Sequence, residues 1–417
     1  MREMKDSGIE WCKSIPADWR VLRIKYIMYE RREKTRTGEE EPLSVTQKYG
    51  IVKTKDIEVA NPSVSYDDYI IVHRNDIVFN KYKAHSGVFF VTPYDGIVTF
   101  NYSVYRCYNG FNPKYYEYLF HTQGCIGEFK TRLHGVGESI SPLYTKDLYS
   151  VTVFAPTFEE QNRIVIYLDS ICAEINTTIS DIEREIEALE EYKRSVITEA
   201  VTKGLDPDVE MRDSGIDAFE LIPKHWEVLK IKWLLRERNE RSVLGEEEPL
   251  SMSQKFGIIP TSQMDIIPNM ASSFVGAKIT HIDDLVFNKL KAHLGVFAVS
   301  KYYGLVSPDY AVYFTSGKSI VKYLEFLFKT DNCISEFKRR STGVGAGLTR
   351  LYTSDLFDIK VPIPPISEQM EIAKHLDCKI SEINLAISEK QQQIETIEEY
   401  KKSLIFEYVT GKKEVQA

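Results

Sequence analysis

Two long stretches of the chain carry apolar residues at heptad spacing. The members of this seam are Ile175, Ile179, Ile182, Ile186, Leu189 and Val196 in the first stretch and Ile383, Ile387, Ile394, Ile397 and Leu404 in the second. Acidic residues occupy the outer faces. The pattern predicts two long helices that pair with each other as a coiled coil. The alternative is two solvated helices, each packed on its own domain.

Lys193 and Lys401 interrupt the seam at equivalent positions. A polar residue at such a position can fix the register of helix pairing at some cost in stability. No Pro or Gly falls within residues 174–203. At about 1.5 Å per residue, that stretch predicts a rod of roughly 45 Å.

The remaining segments carry short runs of aromatic and β-branched residues between Gly, Pro and Asn. Runs such as DIVFN, GVFFV, YSVYRC and YAVYF predict strands, whereas KYLEFLFKT at 322–330 predicts a helix. Each segment is therefore expected to fold as a mixed α/β domain of the α+β class.

The whole pattern occurs twice. VFNKYKAHSGVFFV at 78–91 returns as VFNKLKAHLGVFAV at 286–299, and EEYKRS at 190–195 returns as EEYKKS at 398–403. Two copies of one half are expected, rather than a solenoid of many short units. The predicted organisation is a globular domain at 1–158, a helical segment at 159–205, a second globular domain at 206–366 and a second helical segment at 367–417.

Length, composition and cysteine spacing exclude few classes of protein function. The chain has 417 residues, 43% of them hydrophobic, and six cysteines that form no CxxC pair or zinc-ligand spacing. No apolar run is long enough to predict a membrane span. Scattered free cysteines and the absence of a span lead us to expect a cytoplasmic protein.

The net charge of −8 is unevenly distributed along the chain. Residues 1–158 and 211–366 each carry a net charge of +2, whereas residues 159–210 carry −9 and residues 367–417 carry −3. The globular domains are therefore mildly basic, and a nucleic-acid partner is not excluded by the overall acidity.

The stretch RRSTGVGAGLTR at 339–350 raises the question of a nucleotide site. It matches neither a Walker loop, because the required GK[ST] is missing, nor a dinucleotide fingerprint, because its spacing is GxGxG. The related stretch KTRLHGVGESISPL occupies 130–143, so the glycines belong to the repeat. A nucleotide-using enzyme is thereby disfavoured.

An ordered set of motifs, present twice, resembles the specificity subunit of type I restriction–modification enzymes. The motifs are IPADW and IPKHW, VFNKYKAHSG and VFNKLKAHLG, an EQ…I…LD segment, and the helix containing EEYKRS or EEYKKS. The resemblance covers nearly the whole chain. It implies a pseudo-twofold protein with two target recognition domains, separated by two long helices that pair antiparallel.

The resemblance also implies function and partners. Each recognition domain would read one half of a bipartite site in double-stranded DNA. The helical segments would dock two methyltransferase subunits, and restriction/translocase subunits would join the complex. The chain itself would be non-catalytic and bind no cofactor, with S-adenosylmethionine, ATP and Mg²⁺ belonging to the partner subunits.

Within this resemblance, basic residues shared by both halves are candidates for phosphate contacts. The alternation Asn-Lys-x-Lys-Ala-His predicts one strand face carrying Lys81, Lys83 and His85 in the first half and Lys289, Lys291 and His293 in the second. The alternatives are a solvated strand face or a catalytic histidine. Lys48 and Lys255 are further shared candidates.

Residues that differ between the halves are candidates for reading bases. Around the glycine stretches these are Arg132, His134, Arg339, Arg340 and Arg350, and their alternative role is that of ordinary surface residues. The glycines themselves either let the backbone approach DNA or simply form a bend. A protein-interaction scaffold without direct DNA reading remains the competing function.

Overall fold

A computed structural model describes residues 2–57, 66, 68–133, 142–253, 256–264, 273–343 and 349–415. The chain forms two compact units, one made of residues 1–182 and 391–417 and the other of residues 183–390. The unit boundary falls inside both long helices. Each unit therefore contains one mixed α/β domain and a segment of each helix.

The domain of the first unit is built mainly from short antiparallel strands. The strands are β1 Met4–Asp6, β2 Ser14–Pro16, β3 Arg20–Arg23, β4 Met28–Arg31, β5 Leu43–Thr46, β6 Gly50–Lys53, β7 Ile70–Val72, β8 Ile77–Asn80, β9 Phe89–Val91, β10 Gly96–Val98, β11 Tyr102–Cys107 and β12 Thr152–Ala155. The helices are α1 Pro113–Phe120, α2 Gln123–Lys130, α3 Thr145–Ser150 and the long α4 Phe158–Lys203. The largest sheet has the order β4-β11-β8-β9.

The domain of the second unit repeats this arrangement. Its strands are β13 Met211–Asp213, β14 Leu221–Pro223, β15 Glu227–Lys230, β16 Leu235–Arg238, β17 Leu250–Ser253, β18 Gly257–Pro260, β19 Lys278–Thr280, β20 Leu285–Asn288, β21 Phe297–Val299, β22 Gly304–Val306, β23 Tyr310–Thr315, β24 Thr342–Gly343, β25 Thr349–Arg350 and β26 Lys360–Ile363. Its helices are α5 Val321–Phe328, α6 Asp331–Arg340, α7 Thr353–Phe357 and the long α8 Ile366–Val409. The equivalent sheet has the order β16-β23-β20-β21.

Aromatic side chains fill the same core position in both domains. Phe79 and Phe89 stack at 4.6 Å between ring centroids, and Phe287 and Phe297 stack at 4.4 Å. These rings are buried, and neighbouring phenylalanines of the helices pack edge-on against them. The VFN and GVF segments therefore recur in both halves because their phenylalanines stack in the core of each domain.

The two long helices pair antiparallel within each unit. In the first unit, the early part of α4 packs on the end of α8, where Ile175 and Leu404 share one core. In the second unit, the end of α4 packs on the early part of α8, where Val201 and Ile372 share another. The seam positions are buried or half-buried, whereas most of their neighbours are exposed. The predicted fold class is confirmed.

The seam lysines have matching partners on the opposite helix. Lys401 Nζ donates to Asn176 Oδ1 at 2.7 Å in the first unit, and Lys193 Nζ donates to Asn384 Oδ1 at 3.1 Å in the second. Each lysine thus meets an amide oxygen only when the helices adopt this register. The helix α4 is also longer than the uninterrupted stretch indicated, with 46 residues and a length of about 69 Å.

A tryptophan and a glutamate join each domain to the start of a long helix. Trp19 Nε1 donates to Glu160 Oε2 at 2.9 Å, and Trp226 Nε1 donates to Glu368 Oε1 at 3.0 Å. Both indole rings are buried. The IPxxW and EQ motifs of the repeat therefore bind each other where the domain meets the long helix.

Candidate nucleic-acid interface

The predicted basic strand face is wrong, because the strand ends before the basic residues begin. Asn80 is the last residue of β8, and its Oδ1 accepts the N–H groups of Tyr82 at 3.1 Å and Lys83 at 3.2 Å. A side-chain oxygen in this position turns the backbone out of the strand. A short 3₁₀ helix, Ala84–Ser86, follows and ends at Gly87, whose φ of 75° favours glycine.

The second copy turns in the same way. Asn288 Oδ1 accepts the N–H of Leu290 at 3.1 Å, and the 3₁₀ helix Ala292–Leu294 ends at Gly295, whose φ is 72°. The period-2 alternation therefore reflects a duplicated turn. It does not place Lys289, Lys291 and His293 on one strand face.

The three shared basic positions consequently have three different environments. Lys81 and Lys289 are half-buried, and burial lowers the pKa of each ammonium group. Lys83 and Lys291 are exposed, and neither has an acidic partner in the described parts of the chain. This exposure suits contact with phosphate.

The shared histidines point partly inward. His85 and His293 are half-buried, and the Nδ1 atom of each is buried without a hydrogen-bond partner in the described structure. Within the described residues, no group of three or more His, Cys, Asp or Glu side chains is arranged to hold a metal ion.

Backbone hydrogen bonds bring the inner lysines beside the residues that follow the glycine stretches. Leu143 N–H donates to the carbonyl of Lys81 at 2.9 Å, and Leu351 N–H donates to the carbonyl of Lys289 at 3.0 Å. Lys81 Nζ also donates to the carbonyl of Phe100 at 2.8 Å. Two motifs that are far apart in the sequence thus meet at one place in each domain.

Three of the arginine candidates pair with a glutamate three or four residues earlier in the chain. Arg339 and Arg340 end α6, and both guanidinium groups bind Glu336. Arg132, which follows α2, pairs with Glu128. Reading a base with these arginines would require them to exchange their glutamate partner for DNA.

Arg350 lies in a different setting. It belongs to β25, which pairs with β24 on the other side of the second glycine stretch. Arg350 Nη2 donates to Asp309 Oδ1 at 2.9 Å, whereas its Nε is buried without a hydrogen-bond partner among the described residues. Residues 344–348 of the second glycine stretch lie outside the described residues, and the next helix begins at Thr353.

Of the remaining candidates, the structure describes Lys48 alone. Lys48 lies at the tip of the β5–β6 hairpin, with Nζ 5.0 Å from the ring centroid of Tyr49. Lys255 and His134 lie outside the described residues, as does the first glycine stretch at 134–141.

The sequence patterns gave no indication of a buried acidic residue on α5. Burial alone would raise the pKa of Glu325, but Lys329 at 2.8 Å and Lys322 at 3.2 Å outweigh it and hold the pKa below its ordinary value. Because the folded state binds this proton less tightly than the unfolded state, the stabilisation is present above about pH 4.5 and is lost as the pH falls.

Replacing Glu325 with glutamine is expected to lower the free energy of unfolding by about 1–3 kcal/mol at pH 7. The difference from the unmodified protein should shrink between pH 5 and pH 3, because the native carboxylate is then protonated as well. Urea unfolding followed by circular dichroism at several pH values measures this. Glu382→Gln, which removes an exposed ion pair with Lys379, is the control and should change stability little. An equal loss at pH 7 and pH 3 would contradict the ionic explanation.

Comparison with known proteins places this architecture in a family. The profile of the type I restriction modification DNA specificity domain matches residues 16–188 and, a second time, residues 223–396. The chain belongs to the family of type I restriction–modification specificity subunits. The two matches coincide with the two copies of the repeat and together cover most of the chain.

Several relatives support this assignment. The type I restriction enzyme MjaVIII specificity subunit of Methanocaldococcus jannaschii is 24% identical over 415 residues, which is 95% of this chain and 93% of that protein. The MjaX specificity subunit of the same organism is 25% identical over 264 residues, 62% of this chain and 58% of that relative's length.

A solved structure shares the fold of this specificity subunit. It comes from work on complex assembly and conformational transition of the type I R-M system, and it superposes with a TM-score of 0.69 at 15% identity, covering 95% of this chain and 99% of the other. No helix in the described ranges is both long and apolar enough to cross a membrane.

Proposed function

We propose that this specificity subunit reads a bipartite site in double-stranded DNA, one half-site per recognition domain, and directs partner subunits to it. The observation that carries the proposal is the duplication of a complete DNA specificity domain within one chain. Two copies that share a fold but differ in their surface residues suit a site whose halves differ in sequence.

The shared and the different surface positions support a division of labour. Lys83 and Lys291 are exposed at equivalent turns, so they can make the same phosphate contact in each half-site. Arg350 has no arginine counterpart, because Pro142 occupies the equivalent position. Phosphate contacts would therefore be common to the two domains, and base contacts would be particular to each.

Catalysis is assigned to partner subunits. We propose that methyltransferase subunits, two per chain because the scaffold is duplicated, dock on this protein and that restriction/translocase subunits complete the complex. S-adenosylmethionine, ATP and Mg²⁺ would serve those subunits in the cytoplasm. A structural relative studied for complex assembly of the type I R-M system supports a role within such an assembly.

Selection from a random DNA pool tests this proposal. The full chain, purified with its co-expressed methyltransferase subunit, is incubated with random duplexes, and the bound fraction is sequenced. We expect enrichment of two short sequences at a fixed distance, and binding that weakens steeply with salt. A stable protein complex that enriches no sequence would favour the scaffold function instead.

A further inference from the structure

A cleft lies beside Lys81 in the first domain, and several residues that line it are replaced by chemically different ones at the equivalent positions of the second domain. In the first domain it has a volume of about 700 Å³ and lies between β4, the end of β8, the turn before β11 and the residues following the first glycine stretch. Phe100 and Tyr82 line it and are 61% and 41% exposed. Large exposed rings beside a lysine are typical of a binding surface.

Backbone contacts show that Lys81 and Lys289 occupy equivalent places in the two domains. Lys34 bridges to Ile70 in the first domain, and Arg241 bridges to Lys278 in the second. The backbone of Lys81 is bound by Leu143, and that of Lys289 by Leu351. The two lysines therefore lie on the same framework in both domains.

The side chains around that lysine differ in kind. Where the first domain has Ile70 and Pro142, the second has Lys278 and Arg350. Both cations act on Lys289 closely enough to add to the lowering of its pKa by burial. Lys278 is buried and pairs with Glu237 at 3.3 Å, so Arg350 is the more accessible of these two cations.

Two exposed aromatic residues of the first domain are replaced by non-aromatic residues in the second. Phe100 and Tyr82 correspond to Pro308 and Leu290 in the second domain. Phe100 and Tyr82 therefore expose rings beside Lys81, whereas the equivalent place beside Lys289 carries Arg350, whose guanidinium binds Asp309. A partner protein that docks in two equivalent copies would meet matching residues on both domains. Two DNA half-sites of different sequence would instead meet different residues on the two domains.

Building on the proposed function, we infer that residues around these two lysines read base edges, with Arg350 recognising a guanine in the second half-site and Phe100 contacting a thymine methyl group in the first. Arg350 binds Asp309 through one N–H of Nη2, so Nη1 and the second N–H of Nη2 can donate to the paired acceptors O6 and N7 of guanine in the major groove without breaking that ion pair. An exposed phenylalanine ring matches the methyl group of thymine, which no other base presents.

The test compares the methylation motifs of matched variants. The full chain is co-expressed with its methyltransferase subunit in a host without DNA methylation, and methyladenine is mapped by single-molecule sequencing. Arg350→Ala should relax a guanine position in the second half-site by roughly 10- to 100-fold and leave the first half-site unchanged. Phe100→Ala should relax a thymine position in the first half-site only, so each variant controls for the other.

Arg350→Lys separates recognition from folding. It keeps the positive charge beside Asp309 but loses the planar fork, and it should also lose the guanine preference while still supporting methylation. Unchanged motifs in all three variants, or equal relaxation of both half-sites, would overturn the inference while the unmodified chain still yields a bipartite motif. Absence of any motif with the unmodified chain would instead refute the proposed function.

Discussion

Replacing Ile175 with aspartate is expected to lower the free energy of unfolding by about 3–5 kcal/mol. Ile175 is only 8% exposed and lies in the core that α4 shares with the end of α8. Aspartate would remove that apolar contact and bury a carboxylate, and the nearby Lys401 already donates to Asn176. Ile383→Asp alters the equivalent position in the second unit, where the side chain is 6% exposed, and should have a similar effect.

Urea unfolding monitored by circular dichroism measures both losses. Thr177→Asp adds the same charge at an exposed position of the same helix and should change stability by less than about 0.5 kcal/mol. If Ile175→Asp were as harmless as Thr177→Asp, the seam would not contribute to a packed helix pair. In that case each helix would be supported by its own domain alone.

Replacing Lys83 and Lys291 together with alanine is expected to weaken DNA binding without changing the preferred sequence. Both ammonium groups are exposed at the same turn of each domain. If each neutralises one phosphate, the double variant should lower the slope of log K against log salt by about 1.8. A fourfold increase in salt would then weaken the native complex about 12-fold more than it weakens the variant.

Fluorescence anisotropy with a labelled duplex, measured on the complex with the methyltransferase subunit, provides the slope. Lys13→Ala removes another exposed lysine outside the turn and should leave the slope unchanged. A changed sequence preference in the double variant would show that these lysines read bases. An unchanged slope would show that they contact no phosphate.

Local periodicity was sufficient to predict the helical part of the molecule. A heptad seam repeats over many residues, so its register is visible without knowledge of the partner helix. Ile175 accordingly lies in the core that α4 shares with α8, and Ile383 is buried. Asn176 and Asn384, by contrast, are polar residues outside the heptad seam. Only the antiparallel register of the two helices shows that they bind the seam lysines.

The candidate interface was harder to predict because its geometry depends on contacts between distant residues. A period-2 pattern of lysines is typical of a strand, yet the backbone N–H groups of Tyr82 and Lys83 donate to the Asn80 side-chain oxygen and end the strand first. Arg339 looks available in the sequence, but Glu336 three residues earlier on the same helix binds it. Phe100 carries no motif, and it becomes a candidate only because Lys81 and Leu143 converge beside it.

Methylation mapping of the unmodified chain tests the central claim most directly. The chain is co-expressed with its methyltransferase subunit in a methylation-free host, and methyladenine is read across the genome by single-molecule sequencing. The account predicts one motif made of two different short sequences separated by a constant gap. Methylation at a single continuous sequence, or no new methylation from a soluble and intact complex, would contradict it.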